Sequence, residues 1–147
     1  MPDFSVRGSM ALIDEDTVLS VIASATVRPA IYDIVLSSNS APNDYSAEFS
    51  FNRFTADGTG TAVTPAKVNP ATPAAVATSK QVYTAEPTLT ANDIPLLIAH
   101  NQRATVRWVA VPGKEIMVPA TAANGMAGVC TAVSTQFTED MTIFFTE

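Results

Sequence analysis

Residues 46–54 read "SAEFSFNRF", and this stretch decides the fold class. Apolar and polar residues alternate with a period of two, the signature of a strand with one face on a core. Ala47, Phe49 and Phe51 take the inward phase, while Glu48, Ser50 and Asn52 take the outward one. Arg53 continues the inward phase. That is costly for a guanidinium unless it is paired or reaches an interface.

Working outward, similar segments recur, separated by Pro, Gly, Asn and Asp. Upstream lie "FSVRGSMALI", "TVLSVIASATV" and "RPAIYDIVLSS". The third places Tyr32, Ile34 and Leu36 on one side and Ile31, Asp33 and Val35 on the other. Downstream lie "KQVYT", "DIPLLIAH", "RATVRWVAV", "EIMV", "GMAGVCTAV" and "FTEDMTIFF". In "RATVRWVAV", Ala104, Val106, Trp108 and Ala110 share a face opposite Arg103, Thr105, Arg107 and Val109. Helix signals are nearly absent. The best candidate, "NPATPAAVATSK", carries Pro70 and Pro73, which permit one short turn beginning near the second proline. Nine or ten short strands without crossover helices predict one all-β domain over residues 1–147, an antiparallel β-sandwich of jelly-roll type. An immunoglobulin-like sandwich ranks second, because its paired Cys…Trp…Cys pattern is missing. Residues 1–15 form an N-terminal extension or a first strand.

Residues 51–80, "FNRFTADGTGTAVTPAKVNPATPAAVATSK", start as a strand and dissolve into Thr, Ala, Pro and Gly. Unstructured loops beyond about 12–15 residues are usually functional or disordered. This one lacks the Glu, Lys and Ser load of a solvated chain, and its prolines stiffen the backbone. An extended arm over 57–80, lying across a neighbouring subunit, is the expectation. The "DGTG" at Asp57–Gly60 lacks the lysine of a phosphate loop, and its glycines are expected to serve a tight turn with positive φ.

Charged residues make up 15% of the chain, against about 25% in ordinary soluble proteins. Two explanations compete for so thin a polar skin: an Ala/Thr-rich but ordinary surface, or surface hidden in an oligomer or larger assembly. The second is favoured because interface centres are depleted in charge. The formal net charge of −6, with eight unclustered basic residues, argues against nucleic acid and anionic membrane as partners. No segment approaches the roughly 18 apolar residues of a membrane span, and the first sixteen residues lack the apolar core of a signal peptide. Synthesis in a reducing cytosol is expected.

Chemistry-bearing constellations are scarce. One cysteine, Cys130, and one histidine, His100, cannot build a four-ligand zinc site. Cys130 is expected to be buried, and His100 to sit at a strand end, satisfied by polar neighbours. The acidic run Asp14–Asp16 lacks the glycine and ligand spacing of an EF-hand and reads as an exposed turn. Trp108 lies on the apolar face of its strand, which favours core packing over a sugar platform. No cofactor, metal or catalytic set is expected, and paired carboxylates for a small hydrolase do not stand out. The residues assigned to an oligomer or partner interface are Arg53, Thr64, Pro65, Pro70, Pro73, Arg103 and Arg107. Arginine favours interface centres. For Arg103 and Arg107, solvent exposure is the competing expectation.

The segments "NRFTADGTGTAVTPAKVNPATPAAVATS", "TAEPT", "NQRATVRWVAVPGKEIMVPATAANG" and the closing "FFTE" resemble a pattern of tailed-bacteriophage virion structural proteins. An arginine-ended strand leads into a Thr/Gly/Pro arm; an Arg…Trp strand, a Pro-Gly turn, a Glu-initiated strand and a Pro-Ala-Thr segment follow. The resemblance covers residues 30–147. It implies a capsid decoration (cement) protein of jelly-roll or related fold, a trimer on the outer capsid surface with the major capsid protein as partner. It supplies no catalytic residues. A tail- or fibre-associated sandwich binding a host glycan is the alternative.

Overall fold

The computed structural model describes residues 1–147, and all of its regular elements are strands. In chain order they are β1 (Asp3–Ala11), β2 (Thr17–Ile22), β3 (Ala30–Ser38), β4 (Ser46–Ala56), β5 (Thr59–Val63), β6 (Ala66–Lys67), β7 (Thr78–Ala85), β8 (Thr88–Leu89), β9 (Leu96–Asn101), β10 (Val106–Val109), β11 (Ile116–Met117), β12 (Gly125–Val133) and β13 (Thr138–Thr146). Two antiparallel sheets pack face to face. The six-stranded sheet runs β10-β3-β13-β1-β6, with β11 also paired to β3. The seven-stranded sheet runs β5-β7-β2-β12-β4-β8, with β9 also paired to β4. Residues 1–15 therefore supply a first strand, central enough to pair β13 along its whole length.

The core lies between the sheets. Phe4 and Val6 of β1, Ile34 and Leu36 of β3, and Met141, Ile143 and Phe145 of β13 meet Leu19, Val21, Phe49, Phe51, Met126 and Cys130 from the other sheet. The phase read from residues 46–54 holds, with Phe49 and Phe51 fully buried. At Gly128 a β-carbon would fall 2.6 Å from the Met141 sulfur, so the bare backbone there makes room for the opposite sheet.

The alternation expected for residues 30–38 breaks at Tyr32. Phe144 pairs with Asp33 and Phe145 with Ile31, leaving Tyr32 as the extra residue of a bulge. An extra residue reverses the phase. Ile31 therefore joins the core instead of sharing a face with Asp33, and Tyr32 turns outward to meet Phe144 at 6.3 Å. The expected strand over 103–111 begins only at Val106, because Asn101–Ala104 close a turn through the Ala104 amide on the Asn101 carbonyl. The turn expected near Pro73 instead begins at Asn69, whose side-chain oxygen accepts the Ala71 amide at 3.0 Å and whose carbonyl accepts Thr72. Asn followed by Pro70 sets this turn one proline earlier.

The outside of the seven-stranded sheet is covered by its own chain. Phe54–Val63 and Thr78–Leu89 pair as one continuous two-stranded ribbon, which carries the chain from β4 past β12 and β2 to β7. Ile22, Phe54, Ala127 and Val129 form a second buried cluster on this side. All six residues of β2 are buried as a result. Gly58 is the crossing point: a β-carbon there would fall 2.0 Å from the Ala85 carbonyl oxygen. Its φ is not positive, so this glycine of "DGTG" serves close backbone approach rather than a left-handed turn.

Val82 is the unpaired residue of a bulge in this ribbon and has φ of 48°. The left-handed region costs an L-residue about 1–2 kcal/mol, while glycine's extra unfolded-state freedom costs about 0.5–1 kcal/mol. Val82→Gly is expected to raise stability by up to about 1 kcal/mol, or roughly 3 °C in Tm, measured by thermal unfolding.

Candidate interaction surfaces

The Thr/Pro/Ala tract makes its backbone bonds within its own chain. β5 pairs with β7 on one sheet, and β6 pairs with β1 on the other, with the Val68 amide donating to the Asp3 carbonyl at 3.0 Å. Its far end is held by Glu147, whose two carboxylate oxygens accept the Val76 and Ala77 amides at 2.8 and 2.9 Å. The tract thus steps from one sheet to the other, closes that side of the sandwich and leaves its middle on the surface. Thr64, Pro70 and Pro73 are exposed and Pro65 is half-buried.

The outside of the six-stranded sheet has no ribbon over it. Arg107, on β10, lies across this face with its Nε 3.0 Å from both Asp33 carboxylate oxygens and its Nη2 2.5 Å from Oδ2. The Arg107 side chain is 63% exposed while that of Asp33 is only 5% exposed. The guanidinium is therefore a lid on a buried carboxylate, and its outer surface stays available to a partner. Tyr32, Val35, Val68 and Phe144 complete a shallow groove of about 430 Å³ with this pair. Val68 brings the tract to the same face as Arg107. Beyond Tyr32 a second hollow of about 570 Å³ runs over Ala30, Met117 and Pro112, with Arg28 and Asp3 among its walls. Val109 and Val111 stand exposed beside it. Burial, with Asp3 and Asp33 nearby, raises the Tyr32 hydroxyl above its ordinary pKa and keeps it a neutral donor.

A second open surface is the edge strand β9. It pairs only with β4, so its outer side carries unpaired main-chain groups. Residues 94–102, "IPLLIAHNQ", contain no Asp, Glu, Lys or Arg, and Leu97 is 55% exposed. The other edges are blunted by the usual devices: β5 by consecutive bulges, β10 by its four-residue length and Arg107, and β6, β8 and β11 by having two residues each.

Arg53 and Arg103 lie at opposite ends of β4. Arg53 bonds Asp93 Oδ1 at 2.6 Å and, through Nε, the Met117 carbonyl at 2.9 Å. It is satisfied inside its own chain and bridges the two sheets. Arg103 sits in the turn after β9, paired at 2.8 Å with Asp44 in an open surface contact of little energetic weight. The structure therefore brings Arg107 and the neighbourhood of the tract together, and leaves Arg53 and Arg103 apart from them.

Within the core, His100 bonds Glu139 with both side chains buried, and its ring stacks on Phe49 at 5.7 Å. Burial, with the nearby Asp14 carboxylate, pushes the Cys130 thiol up to about 11. Trp108 packs against the main core from β10. No three His, Cys, Asp or Glu side chains converge on a metal-binding geometry. The sequence reading gave Tyr32, Phe144 and Glu139 no part in a site. Glu139 carried a signal, since it shares the inward phase of Met141, Ile143 and Phe145. Comparison with known proteins finds no matching family model, curated protein or solved structure.

Proposed function

We propose that this chain is a non-enzymatic structural protein of a tailed-phage virion, a decoration protein that binds the outside of the head as a trimer and stabilises contacts between major capsid proteins. On this reading it is made in the host cytoplasm, its sandwich is jelly-roll-like, and the exposed middle of residues 57–80 is a contact arm. The observation that carries the proposal is the asymmetry of the sandwich. One sheet is covered on its outside by the chain's own ribbon, while the other presents an apolar groove with Tyr32, Val68, Phe144 and Arg107. A cementing subunit needs at least two separate contact surfaces, and the groove face and the uncharged β9 edge are two. Each can be modest, because linked contacts multiply through effective concentration. The proline-stiffened tract loses little entropy on docking. The acidic net charge of −6 keeps an exterior protein off nucleic acid.

The test is the copy number of this protein in purified particles, by quantitative mass spectrometry against the major shell protein. A ratio near one to one is expected. A few copies per particle would overturn cementing and favour a tail or fibre component, and absence from particles would remove the virion reading.

A further inference from the structure

His100 belongs to β9 and Glu139 to β13, so their contact, 3.1 Å from Nε2 to Oε1, spans the two sheets. The side chains are 1% and 0% exposed, and Nδ1 of the same ring lies 3.0 Å from the Asn101 carbonyl oxygen. A carbonyl only accepts, so Nδ1 carries a hydrogen. The Nε2–Oε1 contact then needs one more, on the ring or on the carboxyl. Without it, a lone pair and a carboxylate would face each other where no water reaches. Exchanging tautomers moves the same conflict to Asn101. The folded pair therefore holds one proton more than a neutral histidine beside an ionised glutamate, which is its unfolded state above pH about 6.5.

We propose that this shared proton latches the edge strand β9 to the opposite sheet, and that its loss at alkaline pH releases β9. The inference rests on the buried geometry alone and stands independently of the virion reading. The neighbours leave the pair to itself. β4 offers Ala47 and Phe49, β3 Ser38 and β1 Met10, none ionisable. From β12 comes Cys130, neutral until about pH 11. Asp140 follows on β13, and the Arg103–Asp44 pair occupies the adjoining turn. Burial alone would lower the His100 value, but the hydrogen bond and charge of Glu139 outweigh it and the net direction is up. Burial raises Glu139, against the opposing pull of His100. Groups raised on folding contribute stability that is present below their unfolded values and lost as pH climbs through the folded ones. The window thus opens at pH about 6.5 and extends upward, with up to about a tenfold loss in the folding equilibrium constant per pH unit.

The experiment is urea unfolding from pH 5.5 to 9.5 on the full chain and on Glu139→Gln. Glutamine can donate to a neutral imidazole, so it keeps the hydrogen bond without the extra proton, and Asp140 and the Arg103–Asp44 pair are unchanged. The wild-type constant is expected to fall by up to tenfold per unit above pH 6.5, and the Gln variant to lose that slope. Equal slopes in the two proteins would overturn the latch. Imidazole nitrogen shifts of His100 in the wild-type chain decide the matter without any variant: a shift change near pH 6.5 overturns it, and a change delayed until well above that supports it, whichever partner carries the proton. Amide exchange in β9, corrected for intrinsic rates, is expected to accelerate beyond that of β12 as the pH rises.

Discussion

His100→Ala is expected to destabilise the fold by about 3–5 kcal/mol at pH 6, the order of loss seen when one partner is removed from a buried, hydrogen-bonded ionisable pair. Glu139 would be left fully buried, with neither the imidazole at Oε1 nor any partner for Oε2. Part of the loss is the ring itself, which stacks on Phe49. The double variant His100→Leu/Glu139→Met separates these contributions. Well-packed apolar replacements of a buried pair are often neutral or stabilising, so the double variant is expected to recover most of the loss. Urea unfolding of the two proteins checks this. A single variant costing under about 1 kcal/mol would mean that the pair does not hold the sheets together.

Under the proposed head-decoration role, Phe144→Glu is expected to abolish rebinding to purified heads stripped of this protein while leaving the isolated chain folded. Phe144 is half-buried on the outside of the six-stranded sheet, against Tyr32 and beside Arg107 and Val68. The few hot-spot side chains near the centre of an interface, among which aromatics and arginine are enriched, cost about 2 kcal/mol or more when lost, about thirtyfold in affinity. A carboxylate placed there must also be desolvated. Rebinding measured by sedimentation, with circular dichroism as the folding control, decides the outcome. If the variant binds as the wild type does, the groove is not the capsid contact and the β9 edge becomes the surface to test.

Much of the fold was legible in the chain. The period-two patterns at 46–54 and 138–145 and the absence of helix signals specify strands, and a strand pattern with one apolar face requires a second layer to bury it. Arg53 could be read as an inward charge in need of a partner, and Asp93 and the Met117 carbonyl are that partner. His100 reads correctly as a satisfied histidine, but its partner lies 39 residues downstream and no local rule names it. The sequence reading left the tract half explained. Its composition marks a surface segment, whereas its attachment through β6 and Glu147 depends on pairs distant in the chain.

Periodicity and punctuation are local properties, so the sequence alone determined the strands, the inward phase of the main ones and the class of fold. Tertiary structure decided what depends on registry between distant strands. The bulge at Tyr32 took that side chain off the face it was expected to share with Ile34 and Leu36, and the ribbon crossing at Gly58 covered one sheet while leaving the other bare. Which face remains open is set by how the layers close over one another. No side chain carries that information by itself, because the same alternating strand serves equally well beneath a ribbon or against a partner.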